Sequence, residues 1–270
     1  MITLRAAKRL PPPTGKTLPP SREIASRAAD EPISSRPYRR LAHTGVALVS
    51  MPVFEWPSPN PADDLGLVAL DYNLTPERLI SAYQHGIFPW PDSSPFSPIP
   101  WVCPPRRAVL EFERLHIPRN LRKSQRGLGS LRFTIDRAFE AVIAACATAP
   151  RPGQRGTWIT PAMVGAYVSL HGLGHAHSVE AWVNDELVGG LYGVSAAGVF
   201  TGESMFHRIN DVSKLCVLHL IEHLRNRGST WIDIQQLTRH LALLGAHEIT
   251  RGEFLRKLAL ERSTAKTLFP

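Results

Sequence analysis

Hydrophobic and polar positions alternate from Ile232 to Gln235 in the segment Trp231-Ile232-Asp233-Ile234-Gln235, in the last third of the chain. A strand with this pattern carries Trp231, Asp233 and Gln235 on one face and two isoleucines on the other. A carboxylate among apolar neighbours is costly unless a donor pairs with it. The pattern therefore indicates either a polar site with a bound guest or an ordinary surface strand with two polar residues.

A second region with a period of two predicts an antiparallel meander. It covers residues 179–183, 186–194 and 199–201, with a turn at Asn184-Asp185. The segment Gly202-Glu203-Ser204-Met205-Phe206 follows it and sets one carboxylate among largely apolar neighbours. Glu203 is thus either a solvated strand carboxylate or a buried functional group.

Helical periodicity, capping residues and glycine stops predict the remaining elements. Thr75, Thr160 and Asp211 stand at helix starts, and Gly86 and Gly228 stand at helix ends. The predicted helices cover residues 76–86, 118–126, 139–147, 161–171, 212–225 and 237–244, and further short strands cover 108–112 and 231–235. This order of helices and strands predicts an α+β fold.

Composition divides the chain at about residue 48. The net charge of the 270 residues is +8, but residues 1–48 hold nine Lys/Arg and three Asp/Glu, which leaves the remainder near neutrality. The same segment is rich in proline and lacks periodicity, so we predict a disordered extension that catalysis does not need. The high overall charge is for this reason no evidence of a nucleic-acid partner.

Cysteine usage and hydropathy bear on the compartment. Cys103, Cys146 and Cys216 are odd in number and far apart, without the spacing of a metal site or a disulfide framework. No apolar run approaches the roughly 20 residues of a membrane span. We therefore expect a cytoplasmic protein with no membrane partner.

Several motifs in fixed order resemble the leucyl/phenylalanyl-tRNA–protein transferase family. They lie between about Phe54 and Leu258, and each is weak alone. They comprise residues 84–90, 156–159, 187–194, Phe200, 202–206, 213–214, 232–235, 240–241 and 244–246. The resemblance implies a small N-terminal domain over 51–107, and a GNAT-like acyltransferase domain over 108–262 that follows it.

The resemblance also implies a reaction, the aminolysis of an aminoacyl-tRNA ester by the N-terminal amine of a protein. Leu or Phe, and as a further candidate Met, would be moved onto proteins that begin with Arg or Lys, which tags them for N-end rule degradation. Asp233 and Gln235 would lie at the reaction centre. An amide has no useful basicity, so Gln235 would position the amine while Asp233 orients the amide.

The donor side chain requires an apolar pocket. By resemblance, Leu191, Phe200, Gly202 and Met205 would line it, although plain core packing is the alternative for Phe200 and Met205. Glu203 would be a third catalytic residue and a candidate to hold the free α-amine of the donor. The family implies no cofactor and no metal, and we expect a monomer.

The tRNA would bind through cations and aromatic rings. The predicted helix 118–126 carries four cations within two turns, which either bind phosphates or form a solvated face; they are Arg119, Arg122, Lys123 and Arg126. Trp101 and Trp90 flank proline-rich turns, and either could stack on an unpaired base or pack in the core. Residues 101–107 depart from the family pattern Trp-Trp-Ser-Pro-Asp-Pro-Arg, because the second Trp, the Ser and the Asp are lost.

Three alternatives concern other chemistry. His175 and His177 share a strand face at a spacing that could bind zinc, but we predict structural hydrogen bonding because no third ligand is evident. An acyl-CoA-dependent N-acetyltransferase would need a glycine-rich pyrophosphate turn before the helix at 212, and residues 205–211 contain no glycine. A tRNA-binding protein without catalytic activity is the remaining alternative.

Overall fold

The computed structural model describes residues 56–58, 66–91, 97–150, 157–264 and 266–269. The extension predicted for residues 1–48 lies outside these ranges. Seven α-helices occur in the described part: α1 Pro76–Gln84, α2 Arg119–Gly127, α3 Phe139–Thr148, α4 Pro161–Gly172, α5 Val212–Arg225, α6 Arg239–Ala242 and α7 Arg251–Arg262. The ten strands are β1 Leu67–Asp71, β2 Phe88–Pro89, β3 Ile99–Val102, β4 Arg106–Glu111, β5 Arg132–Ile135, β6 Ala176–Val183, β7 Glu186–Ala196, β8 Val199–His207, β9 Trp231–Gln235 and β10 His247–Thr250.

A seven-stranded sheet forms the centre of the molecule, with the order β10-β4-β9-β8-β7-β6-β5. The pairs within it are antiparallel except β8 and β9, which run parallel and meet at Thr201 and Asp233. Helix α5 connects these two strands, as a parallel pair requires a crossover. This sheet with its helices is the α+β arrangement that the sequence predicts.

The predicted meander is confirmed as β6, β7 and β8, although β8 extends six residues beyond the predicted end at 201. Both residues of the turn, Asn184 and Asp185, have positive φ values of 48° and 65°. Such a turn matches the right-handed twist of the strands it joins, and Asn and Asp tolerate its left-handed backbone.

A second sheet of three strands, in the order β1-β3-β2, precedes the large one in sequence. Helix α1 of this region contributes Leu79 and Tyr83 to a buried cluster that also contains Phe139 of α3 and Tyr167 of α4. A shared core therefore fixes the position of α1 against the large sheet, and this brings Tyr83 toward residues more than a hundred positions away.

The predicted caps of two helices are confirmed, and the third differs. The hydroxyls of Thr75 and Thr160 accept from the third residue of α1 and α4. Asp211 stands at the cap position of α5 but makes no side-chain cap, because its backbone is left-handed with a φ of 70°. Its carboxylate instead accepts from Ser124 of α2 at 2.9 Å and pairs with Lys214.

All three cysteines are buried and none forms a disulfide, and they lie in three different parts of the structure. Cys103 follows β3, Cys146 lies in α3 and Cys216 lies in α5. Burial raises the pKa of the Cys103 thiol, although nearby Arg107 opposes the shift, and burial raises that of Cys216 as well. These thiols are packing groups in the native fold.

Candidate active site

A cavity of about 780 Å³ lies beside the parallel strands β8 and β9. Residues 202–205 of β8 and residues 234–236 at the end of β9 both face it, beyond the point where the two strands pair. One part of its wall is apolar and comprises Leu191, Phe200, Met205, Val217, Leu220, Ile232, Ile234 and Leu241. A cavity of this size and lining can hold an apolar side chain together with a larger polar group.

The four residues expected to form the donor pocket, Leu191, Phe200, Gly202 and Met205, all line this cavity. Leu191 and Phe200 have no more than 5% of their surface exposed, so they form a rigid part of the wall. The residues that the sequence analysis assigned to a pocket are thus together in space, on the adjacent strands β7 and β8.

Glu203 of β8 lies at the edge of the apolar wall and accepts three hydrogen bonds. The Tyr83 hydroxyl donates to Oε1 at 2.6 Å, the Tyr167 hydroxyl to Oε2 at 3.2 Å, and the Gln235 side-chain amide to Oε1 at 2.6 Å. The two phenol oxygens are themselves 2.5 Å apart. Burial raises the pKa of Glu203 to about 7, although the bonds from the tyrosines oppose the shift.

The two tyrosines hold their protons firmly, because burial and the charge of Glu203 raise both pKa values well above the usual range. They therefore act as hydrogen-bond donors near neutral pH. Each phenol carries one proton, so when Tyr83 donates to Glu203, the Tyr167 proton is shared between Glu203 and the Tyr83 oxygen. Glu203 is the group of this network that can gain and lose a proton near pH 7.

Asp233 forms a buried ion pair with Arg107 of β4. The guanidinium donates from Nε to Oδ1 at 2.8 Å and from Nη2 to Oδ2 at 2.6 Å, and each side chain is only 1% exposed. Nη1 donates to the Gly86 carbonyl at 3.2 Å, and the Phe88 and Phe254 rings lie 4.5 Å from the guanidinium. Burial alone lowers the pKa of Arg107, but the carboxylate raises it overall.

Asp233 does not face the cavity, while Gln235 does. Asp233 instead accepts from the backbone N–H of Gln235 at 2.9 Å and from the Thr201 hydroxyl at 3.1 Å. Gln235 has a φ of 59°, a left-handed conformation that is rare for residues other than glycine. Asp233 and Gln235 thus interact, as predicted, but through the backbone N–H of Gln235. The alternation of side-chain directions along β9 ends at Gln235.

Trp101 corrects one expectation, because it is buried, whereas Trp90 is exposed. Trp101 has no exposed surface and packs against Trp56 with 5.0 Å between ring centroids, so it is a core residue and cannot stack on a base. Trp90 is 42% exposed and lines the cavity together with Trp158. The sequence favoured Trp101 for stacking on a base. Both tryptophans flank prolines, and because proline turns occur on the surface and in the core, this signal could not show which ring is exposed.

The predicted basic helix is α2, and its cations reach solvent. Arg119, Arg122, Lys123 and Arg126 are all exposed, while Leu121 is buried against the core. Ser124 connects α2 to Asp211, which pairs with Lys214, and both of these residues line the cavity. The basic face therefore lies next to one side of the cavity.

His177 makes the structural hydrogen bonds that the sequence predicts. Its Nδ1 lies 2.7 Å from Asp136 Oδ2 and its Nε2 lies 3.2 Å from the Gly174 carbonyl. Within the described ranges, the structure holds no group of three or more His, Cys, Asp or Glu side chains that could bind a metal ion. His177 thus connects β6 to the segment before α3.

Three residues of the site were not predicted from the sequence. Tyr83 and Tyr167 look like ordinary helix residues, and Arg107 looks like the first charge before a strand. Two observations together would have pointed to Arg107: the predicted buried carboxylate at 233 requires a cationic donor, and β4 is a neighbour of β9. The second became known only with the structure.

The comparisons with known proteins identify a family that matches most of the chain. Residues 109–259 match the family "Leucyl/phenylalanyl-tRNA protein transferase", and residues 72–105 match its N-terminal domain family. A protein of Anaeromyxobacter sp. named leucyl/phenylalanyl-tRNA–protein transferase is 49% identical over 224 residues, which cover 80% of this chain and 95% of the relative. A protein of Maridesulfovibrio salexigens with the same name is 49% identical over 212 residues, which cover 78% of this chain and 86% of the relative.

A solved structure, a GCN5-related N-acetyltransferase-like protein from Streptococcus suis, is 17% identical with a TM-score of 0.32. It covers 54% of this chain and 57% of its own, a likeness too low to support any conclusion. The family matches and the relatives define the class of protein, a transferase. The chain belongs to the leucyl/phenylalanyl-tRNA–protein transferase family.

Proposed function

We propose that the protein moves Leu or Phe, with Met as a further candidate, from aminoacyl-tRNA to proteins that begin with Arg or Lys. The observation that carries the proposal is the apolar cavity with Glu203 and Gln235 side by side at its edge. The apolar wall suits the donor side chain, and the polar edge suits the ester and the attacking amine. The family to which the chain belongs supports the same reaction.

The chemistry is an ester aminolysis. The amine nitrogen of the acceptor attacks the ester carbonyl, an amide bond forms, the bond to the 3′ or 2′ oxygen of the terminal ribose breaks, and that oxygen receives a proton. Glu203, with a pKa of about 7, accepts the proton that the amine loses. A pKa near the working pH suits a group that must both accept and return a proton.

Gln235 positions the amine. Its side-chain N–H₂ donates to Glu203, which turns the amide oxygen toward another donor. Asp233 acts indirectly, through Gln235. It accepts a hydrogen bond from the backbone N–H of Gln235, and Arg107 fixes its position by an ion pair. We therefore assign Asp233 as a positioning residue, and Glu203 and Gln235 as the groups that touch the substrates.

The decisive experiment measures the mass of a peptide. Purified protein is mixed with leucyl- or phenylalanyl-tRNA and a peptide that begins with Arg, and the expected product gains one Leu or Phe residue without added CoA. The matched control is the same peptide with its N-terminus acetylated, which has no nucleophile. A peptide of unchanged mass, or a reaction that requires CoA, would overturn the proposal.

The basic face of α2 binds tRNA phosphates in this proposal. Arg122→Ala should weaken the binding of all charged tRNAs alike and lower the slope of log affinity against log salt by about one unit. The matched control is Arg256→Ala, an exposed cation on α7, which should leave the slope unchanged. Binding measured by fluorescence anisotropy at several salt concentrations decides, and an unchanged slope in Arg122→Ala would contradict the assignment.

The cellular role belongs to the same proposal. A Leu or Phe added to the N-terminus of a protein would tag that protein for N-end rule degradation. In this proposal the transferase is a monomer and acts in the cytoplasm. Three buried cysteines without a disulfide are in keeping with a reducing compartment. Among the described residues, none of the helices has the length and apolar character to cross a membrane.

A further inference from the structure

The chain continues after α7 into a short C-terminal tail, residues 266–269, beyond the end of the family match at residue 259. Leu268 of the tail is 1% exposed and belongs to the same buried cluster as Leu191 and Phe200. Phe269 packs against this cluster. A segment outside the family match thus contributes to the core behind the donor pocket.

Three aromatic rings surround the ring of Phe269. His177 stacks on it with centroids 3.8 Å apart and planes at 8°, and His223 lies at 4.9 Å and 29°. On a third side is Phe200, at 5.7 Å and 45°. Aromatic pairs at such distances stabilise each other beyond the burial of their surface. The tail is therefore seated in a fixed aromatic socket formed by His177, Phe200 and His223.

A backbone hydrogen bond fixes the tail as well. His223 Nε2 lies 3.0 Å from the Leu268 carbonyl oxygen, and Arg227 Nη1 lies 3.2 Å from His223 Nδ1. Because a guanidinium can only donate, His223 Nδ1 accepts a hydrogen bond from Arg227. Nε2 of the same ring therefore carries the proton and donates to the Leu268 carbonyl oxygen. Burial lowers the pKa of His223, and Arg227 lowers it further. The ring thus stays neutral and the tail stays fixed at neutral pH.

Phe200 connects this socket to the donor pocket. It lines the cavity, and it is 1% exposed. Phe269 does not line the cavity, so it reaches Phe200 from outside the cavity. On β7, a Cβ at Gly193 would lie 2.5 Å from the Phe200 ring, so the ring also packs closely against this glycine. Gly193 and Phe269 together therefore fix the position of Phe200.

From these contacts we infer that Phe269 is a specificity-determining residue, which sets the depth of the donor pocket by supporting Phe200. The inference rests on the proposed function. Without the Phe269 ring, Phe200 can recede and the pocket becomes larger. A leucine side chain then leaves space unfilled and loses contacts, while the larger phenylalanine ring keeps them.

The test compares two donors in one enzyme. Phe269→Ala should raise the ratio of kcat/KM for phenylalanyl-tRNA to kcat/KM for leucyl-tRNA by about fivefold or more, since one methylene in an apolar pocket is worth roughly tenfold. A chain that ends at Thr264 should show the same change. Partial unfolding reduces both rates equally, so the ratio isolates the pocket from stability.

Two matched variants complete the design. Phe269→Tyr keeps the ring and should restore the original ratio. Leu260→Ala removes an apolar side chain that is 70% exposed on α7, and should leave the ratio unchanged. A ratio within twofold of the original in Phe269→Ala, from an enzyme that uses both donors, overturns the inference alone. No transfer by the unmutated protein overturns the proposed function and the inference with it.

Discussion

Asp233→Ala is expected to destabilise the protein by about 3–5 kcal/mol, because it leaves the Arg107 guanidinium buried without its partner. It should also lower the rate of transfer by about 100-fold, since the backbone N–H of Gln235 loses its acceptor and the amide moves. Chemical denaturation gives the first quantity, and single-turnover transfer to an Arg peptide gives the second. The affinity for tRNA should remain almost unchanged.

The controls separate the ion pair from the reaction. Gln235→Ala should lower the transfer rate with much less loss of stability, because its side chain lines a cavity and is not a member of the buried Arg107–Asp233 ion pair. The double variant should transfer little more slowly than the slower single variant, since Asp233 acts through Gln235. If the two losses of rate multiply in full, the residues act independently and the positioning role of Asp233 is wrong.

Glu203→Gln is expected to lower the transfer rate by about 100- to 10,000-fold and to change its pH dependence. In the unmutated protein the carboxyl is protonated below its pKa of about 7 and cannot accept a proton. The rate should therefore fall as the pH drops through 7, and the variant should lose this dependence. The acceptor amine titrates in a nearby pH range. Its pKa is therefore measured on the free peptide, and its contribution to the pH dependence of the rate is removed.

Stability gives a second measure of the same group. The pKa of Glu203 is raised from 4.5 to about 7 on folding, so the folded protein binds this proton more tightly and loses stability as the pH rises through that window. The shift corresponds to about 3 kcal/mol. Glu203→Gln should therefore be more stable than the unmutated protein at pH 8.

A variant that binds donor tRNA weakly but keeps its maximal rate would instead assign Glu203 to the α-amine of the donor.

The five central strands of the large sheet and most of its helices could be predicted from the sequence because their signals are local. Alternation marks the meander, and Thr75 and Thr160 mark helix starts by a hydroxyl and a following proline. Strands β1, β2, β3, β5 and β10 were not predicted. They are at most five residues long, and the prolines within β2 and β3 conceal their alternation. Pairing with distant strands, and not their own pattern, keeps them extended.

The site shows the same limit. The apolar wall could be predicted by resemblance, since Leu191, Phe200 and Met205 lie within short motifs. The partners of the carboxylates could not, because Tyr83 lies 120 positions from Glu203, and Arg107 lies 126 positions from Asp233. A buried charge predicts that a partner exists and leaves open which residue it is. Only the tertiary structure names it.

The burial of the three cysteines has a practical consequence. Since Cys103, Cys146 and Cys216 are enclosed, a thiol reagent can modify them only when the surrounding structure opens. Cys103 lies close to the Arg107–Asp233 pair, while Cys216 lies in the helix behind the cavity. The time course of alkylation, resolved by mass spectrometry at each thiol, would show which part of the protein opens first. The chain thus carries three native probes of local unfolding and needs no added label.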